Sequence, residues 1–118
     1  MKAQVFRGVN QLSYEEIPVP EIAADEVLVR VRVVGLCQSD IKKIRYPLYD
    51  PPRIFGHETA GTIAAVGTEV KHWQVGDRVV VLHHIPCMHC AYCLNDNFSM
   101  CDVYKNITTT AGFAPSGG

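Results

Sequence analysis

The sequence predicts a mainly β protein, a small barrel or sandwich with short helices, and three observations lead there. Short runs of apolar residues read as strands, several with alternating polarity. Glycine, proline, asparagine and aspartate separate those runs at close intervals, and only brief segments suit a helix. At 118 residues, with 47% hydrophobic and 19% charged residues, the chain has the composition of one ordered globular domain.

The elements follow in order. Lys2 to Arg7 and Leu12 to Ile17 are strand candidates joined by a turn over Gly8 to Asn10, and Pro18 with Pro20 breaks the chain into a loop. Val27 to Val34 is the clearest strand. Its Val27, Val29, Val31 and Val33 share one face and Leu28, Arg30, Arg32 and Val34 the other, a half-buried pattern. Ser39 suits the cap of a short helix from Asp40 to about Arg45. Pro47, Pro51 and Pro52 forbid its continuation. Thr59 to Val66 and Val79 to Leu82 are further strands, the second launched by the turn Val75-Gly76-Asp77. One helical turn is expected near Ala91 to Asn95, and Thr108 to Gly118 reads as a loop-like tail.

Chemistry concentrates in one run, Cys87, Cys90, Cys93 and Cys101, spaced C-x2-C-x2-C-x7-C. Four soft sulfurs so close together suit a closed tetrahedral zinc with bonds of about 2.3 Å. Disulfides fit poorly, because five cysteines is an odd number and the N-terminus MKAQVFRG has no apolar signal segment. An iron–sulfur cluster is the more serious rival, since C-x2-C-x2-C opens the bacterial ferredoxin run, but there the fourth cysteine follows three residues later and precedes proline. A nucleic-acid zinc ribbon, or no metal at all, makes up the remaining alternatives. A formal charge of −1 and the lack of a long apolar stretch argue against nucleic acid and membrane partners. Free cysteines without a signal point to a reducing, cytoplasmic setting.

A second constellation lies upstream. Cys37 stands in Gly35-Leu36-Cys37-Gln38-Ser39-Asp40 and His57 in Gly56-His57-Glu58-Thr59-Ala60-Gly61. Alone, each residue reads more simply as a small core cysteine and a strand-edge histidine. In order, these two segments, Val75-Gly76-Asp77-Arg78-Val79 and the four-cysteine run resemble the N-terminal, GroES-like catalytic domain of the zinc-dependent medium-chain alcohol and polyol dehydrogenases.

That resemblance implies a partly open β-barrel over residues 1–118 with a zinc lobe at about 86–102. It implies a structural zinc on Cys87, Cys90, Cys93 and Cys101, and a catalytic zinc on Cys37 and His57 with a third ligand later in the chain. Such a zinc lowers the pKa of an alcohol oxygen and so promotes hydride transfer to NAD or NADP. Ser39 matches the hydroxyl that passes on the substrate proton, and Asp40 the carboxylate that holds the zinc-binding histidine. Glu58 matches an acid that either binds the ion or stands beside it. The substrate implied is a small alcohol or polyol.

Two departures stand out. Lys42 occupies the place of a histidine that ends the proton relay in many relatives, and no G-x-G-x-x-G turn of a nucleotide-binding domain is present. The chain is therefore expected to be a fragment without turnover of its own, holding its structural zinc firmly and the catalytic zinc weakly or not at all. A stand-alone GroES-like binding or assembly module is the alternative, an iron–sulfur carrier a third. Tyr46, Tyr49 and Phe55 are candidates to line a substrate cleft, as is one of His83 and His84. Self-association into a homo-oligomer through uncovered edges is left open.

Overall fold

The structure, a computed structural model, describes residues 1–82 and 85–105. The expectations for His83, His84 and the tail from Thr108 to Gly118 lie outside the described residues. Among the described residues, five strands form two open antiparallel sheets. Strands β1 (Lys2–Gly8) and β2 (Gln11–Glu16) make a hairpin with Lys2 opposite Glu16 and Phe6 opposite Leu12. Its turn needs the left-handed conformation at Asn10, φ +56°, which asparagine tolerates better than most residues. Strands β3 (Val27–Gly35), β4 (Glu58–Val66) and β5 (Arg78–Val81) form the second sheet in sequence order.

A bulge on β3 corrects the expected faces of that strand, and a second lies on its partner β4. Val31 pairs with Gly61 and Val33 with Ala60, so Arg32 is the extra residue; Leu28 pairs with Ala65 and Val29 with Ile63, so Ala64 is extra on β4. Each extra residue shifts the two-residue alternation of its own strand by one, so on β3 no single face persists past Arg32. Val27 and Val29 remain half-buried, whereas Val31 is 53% and Val33 60% exposed. Gly61 is required at the bulge, because a Cβ there would stand 2.4 Å from the Arg30 carbonyl oxygen.

Helix α1 (Gln38–Arg45) starts two residues before the expected point. Cys37, extended at φ −82° and ψ 151°, is its N-cap in place of Ser39, and Asp40 reaches back to accept the Cys37 N–H at 3.1 Å. The carboxylate three residues into the helix thus satisfies an N–H that Ser39, already within the first turn, cannot reach. Tyr46 ends the helix in an extended conformation, as a residue before proline must.

The apolar core of the described residues is thin: Val5, Phe6, Ile17 and Ile63. Phe6 exchanges both backbone hydrogen bonds with Arg53, at 2.7 and 3.2 Å, and its ring meets Phe55 at 5.1 Å, which ties the 46–55 loop to β1. An apolar groove of about 670 Å³ lies between the sheets, with Leu28, Val29, Ile54 and Phe55 in its walls. On the edge strand β5, Val80 is 82% exposed. No helix among the described residues is long and apolar enough to cross a membrane.

Candidate metal centres

Among the described residues two groups of ligand-type side chains converge, each with its donor atoms within 4.8 Å of one another. The first is Cys87, Cys90, Cys93 and Cys101. Two short 3₁₀ turns, Cys93–Asn95 and Phe98–Met100, fold the lobe, and α2 (Asp102–Lys105) follows it. The single expected turn near Ala91 to Asn95 is therefore joined by a second that returns Cys101 to the other three. Met88 and Asp96 take left-handed φ values of 63° and 59°, which reverse the chain around the sulfurs.

The four thiols fit a tetrahedral ion. Zinc–sulfur bonds of about 2.3 Å imply sulfur–sulfur edges of about 3.8 Å, and Cys87 Sγ lies 3.9 Å from Cys93 Sγ. Backbone N–H groups already point at the sulfurs. Cys87 N–H donates to Cys101 Sγ and Cys90 N–H to Cys87 Sγ, both at 3.3 Å. Such bonds favour thiolate, and backbone N–H groups of Cys93 and Asp102 hold the Cys90 thiol below its ordinary value. Cys93 goes the other way. Burial, and next its hydrogen bonding with Cys90, push its thiol up to about 12. All four cysteines carry free thiols.

The second group is Cys37, His57 and Glu58. Cys37 comes from the α1 cap, and His57 and Glu58 from the start of β4, where Gly35 pairs with Glu58. Gly35 gives Glu58 its room: a Cβ on residue 35 would lie 2.2 Å from Glu58 Oε2 and 2.9 Å from its Cβ. Asp40 is 2% exposed. Its Oδ1 lies 3.3 Å from His57 Nδ1 while Oδ2 accepts the Cys37 N–H, so one carboxylate contacts both segments of the site. With Nδ1 facing Asp40, Nε2 is the histidine atom left for an ion. Ser39 is half-buried in the first turn of α1 and Lys42 is exposed. A groove of about 420 Å³ runs from His57 and Glu58 along β4 and β5 to Leu82.

The loop aromatics do something other than line that groove. Phe55 packs on Phe6, Tyr49 meets Phe55 edge-on at 5.9 Å, and Tyr46 is exposed. Sequence reasoning missed Lys43, which is 6% exposed, with Nζ 4.0 Å from Asp40 Oδ1. Its ammonium also lies 5.7 Å from the Phe55 ring centre and 5.9 Å from that of Tyr49. Burial lowers its pKa, and Asp40 and then Cys37 oppose that shift. The available signal was its spacing: three residues after Asp40, it shares that residue's helix face.

This fold and its two donor clusters define a class. Residues 23–118 match the family described as the alcohol dehydrogenase GroES-like domain, and the chain belongs to that family. A sorbitol dehydrogenase of Bacillus subtilis (strain 168) is 41% identical over 114 residues, covering 92% of this chain and 32% of that protein. Among solved structures, galactitol-1-phosphate dehydrogenase from Escherichia coli is 36% identical with a TM-score of 0.81, covering 86% of this chain and 30% of the other. The alcohol dehydrogenase TADH from Thermus sp. ATN1 is 33% identical with a TM-score of 0.77, over 86% and 30% of the two chains. The chain spans about 30% of the length of the curated relatives it matches.

Proposed function

We propose that this chain is catalytic-domain sequence of a zinc-dependent alcohol or polyol dehydrogenase that uses NAD or NADP in the cytoplasm. The observation that carries the reading is the convergence of Cys37, His57 and Glu58 from two separate segments, with Asp40 against both. Cys37, His57 and Glu58 would hold the reactive zinc, and Cys87, Cys90, Cys93 and Cys101 a structural one. When bound, the first zinc supplies Lewis acidity toward an alcohol or carbonyl oxygen.

The chain's own residues do the rest. Asp40 Oδ1, 3.3 Å from His57 Nδ1, orients the ring with Nε2 toward the ion. Ser39, one residue before Asp40, is the hydroxyl assigned to take the substrate proton; Lys42, which stands where many relatives carry a histidine, is an exposed cation and offers that proton no acceptor. The groove beside Glu58 takes a small hydroxylated substrate, for which the sorbitol and galactitol-1-phosphate dehydrogenases among the relatives favour a polyol. Hydride transfer needs an acceptor held close to the substrate and shielded from water. These 118 residues carry no glycine-rich nucleotide turn, so by themselves they give no turnover.

Metal analysis and a cofactor assay test the proposal together. The purified chain retains one zinc through a mild chelator, loses it in Cys93→Ser, and reduces no NAD or NADP with sorbitol or a simple alcohol. Alcohol-dependent cofactor reduction by the 118 residues would refute the assignment of inactivity. Zinc retention unaffected by Cys93→Ser would refute the structural site.

A further inference from the structure

Among the described residues Lys43 is a buried charged side chain that the proposed chemistry does not use. It is buried in the last turn of α1, three residues from the buried Asp40, with Nζ 4.0 Å from Oδ1. That same Oδ1 lies 3.3 Å from His57 Nδ1. On its other side the ammonium faces the rings of Phe55 and Tyr49, the first of which belongs to the segment that leads through Gly56 into His57. Lys43 thus touches both supports of His57.

Burying an ammonium and a carboxylate costs several kcal/mol per ion before their attraction is counted, and apolar replacements of such pairs are often neutral or stabilising. Stability alone therefore gives weak reason for this pair. Geometry offers a better one. A carboxylate with one oxygen on the Cys37 N–H keeps rotational freedom in the other, and a cation fixed by two ring faces limits it.

We infer that Lys43 is a positioning residue of the Cys37, His57 and Glu58 site, its buried ammonium holding the Asp40 carboxylate aimed at His57 Nδ1. This rests on the reading of those three residues as a metal site. The opposite sign is the alternative: a cation near a metal repels it, so a Lys43 that did no positioning would weaken metal binding, and its removal would tighten it.

The test uses Co²⁺ as probe, added to this chain with its lobe filled by Zn²⁺, and ¹⁵N NMR of the histidine rings before cobalt is added. In the unsubstituted chain His57 carries its proton on Nδ1. In Lys43→Met that tautomer is mixed and Co²⁺ affinity falls about 10- to 100-fold, the usual loss when the outer partner of a metal-binding histidine is disturbed. Lys43→Arg keeps the cation and restores most of the affinity. In an Asp40→Asn background, Lys43→Met changes affinity no further, because the group it acts through is gone. That double variant buries no unpaired charge, and retained zinc in the lobe reports its fold. Equal or tighter Co²⁺ binding by Lys43→Met overturns the inference, as does an equal loss in the Asp40→Asn background. Failure of Co²⁺, even in large excess, to bind the unsubstituted chain in a Cys37-dependent way overturns the metal site itself and the inference with it.

Discussion

Replacing Cys101 with alanine removes one of four sulfurs from the lobe, and its burial and contacts set the cost. Cys101 is fully buried, and its Sγ accepts the Cys87 N–H. A structural zinc contributes about 10–16 kcal/mol at pH 7 in small zinc peptides, so one ligand in four carries roughly 2.5–4 kcal/mol. At 1.4 kcal/mol per tenfold, the variant loses about 100- to 1000-fold in zinc affinity. The stranded Cys87 N–H adds about 1 kcal/mol against the folded lobe. Competition with a chelator of known affinity measures the first effect. Cobalt in place of zinc gives an independent reading, because a water oxygen in the vacated position shifts the visible bands of a four-sulfur site. A lobe that were merely a packed thiol cluster would lose only a small cavity, with metal affinity unchanged. Unchanged zinc affinity in Cys101→Ala would therefore refute the four-thiolate reading.

Two further outcomes follow from the second site. Gly35→Ala pushes Glu58 aside, since the new Cβ would overlap its carboxylate; Co²⁺ affinity at the Cys37 and His57 site should drop at least about tenfold, and an unchanged value would show that Glu58 is not a donor. Burial depresses the Lys43 pKa below its ordinary 10.5. The unfolded chain therefore binds more protons in the window below 10.5, and stability rises with pH there. In zinc-loaded protein, the urea midpoint of wild type minus that of Lys43→Met should climb as pH approaches 10.5, and a flat or falling difference would contradict the assigned direction.

The chain order of residues by itself indicated the strands, their turns and the four-cysteine run, whereas Cys37, His57 and Glu58 came only through the family resemblance. Alternation, proline placement and cysteine spacing are local signals, and Cys87 to Cys101 lie close enough in sequence for spacing alone to suggest one ion. Tertiary structure decided what depends on pairing across the chain. Whether Cys37 meets His57 depends on the β3–β4 register that sets Gly35 opposite Glu58. The bulge at Arg32 undid the single valine face of β3, because an extra residue shifts that strand's period-two pattern without altering the sequence pattern itself. Ser39 looked like a helix cap, yet Asp40 reached Cys37 first. Lys43 carried no motif, and only the fold, by closing the 46–55 loop over α1, turned an ordinary lysine into a buried cation beside the site.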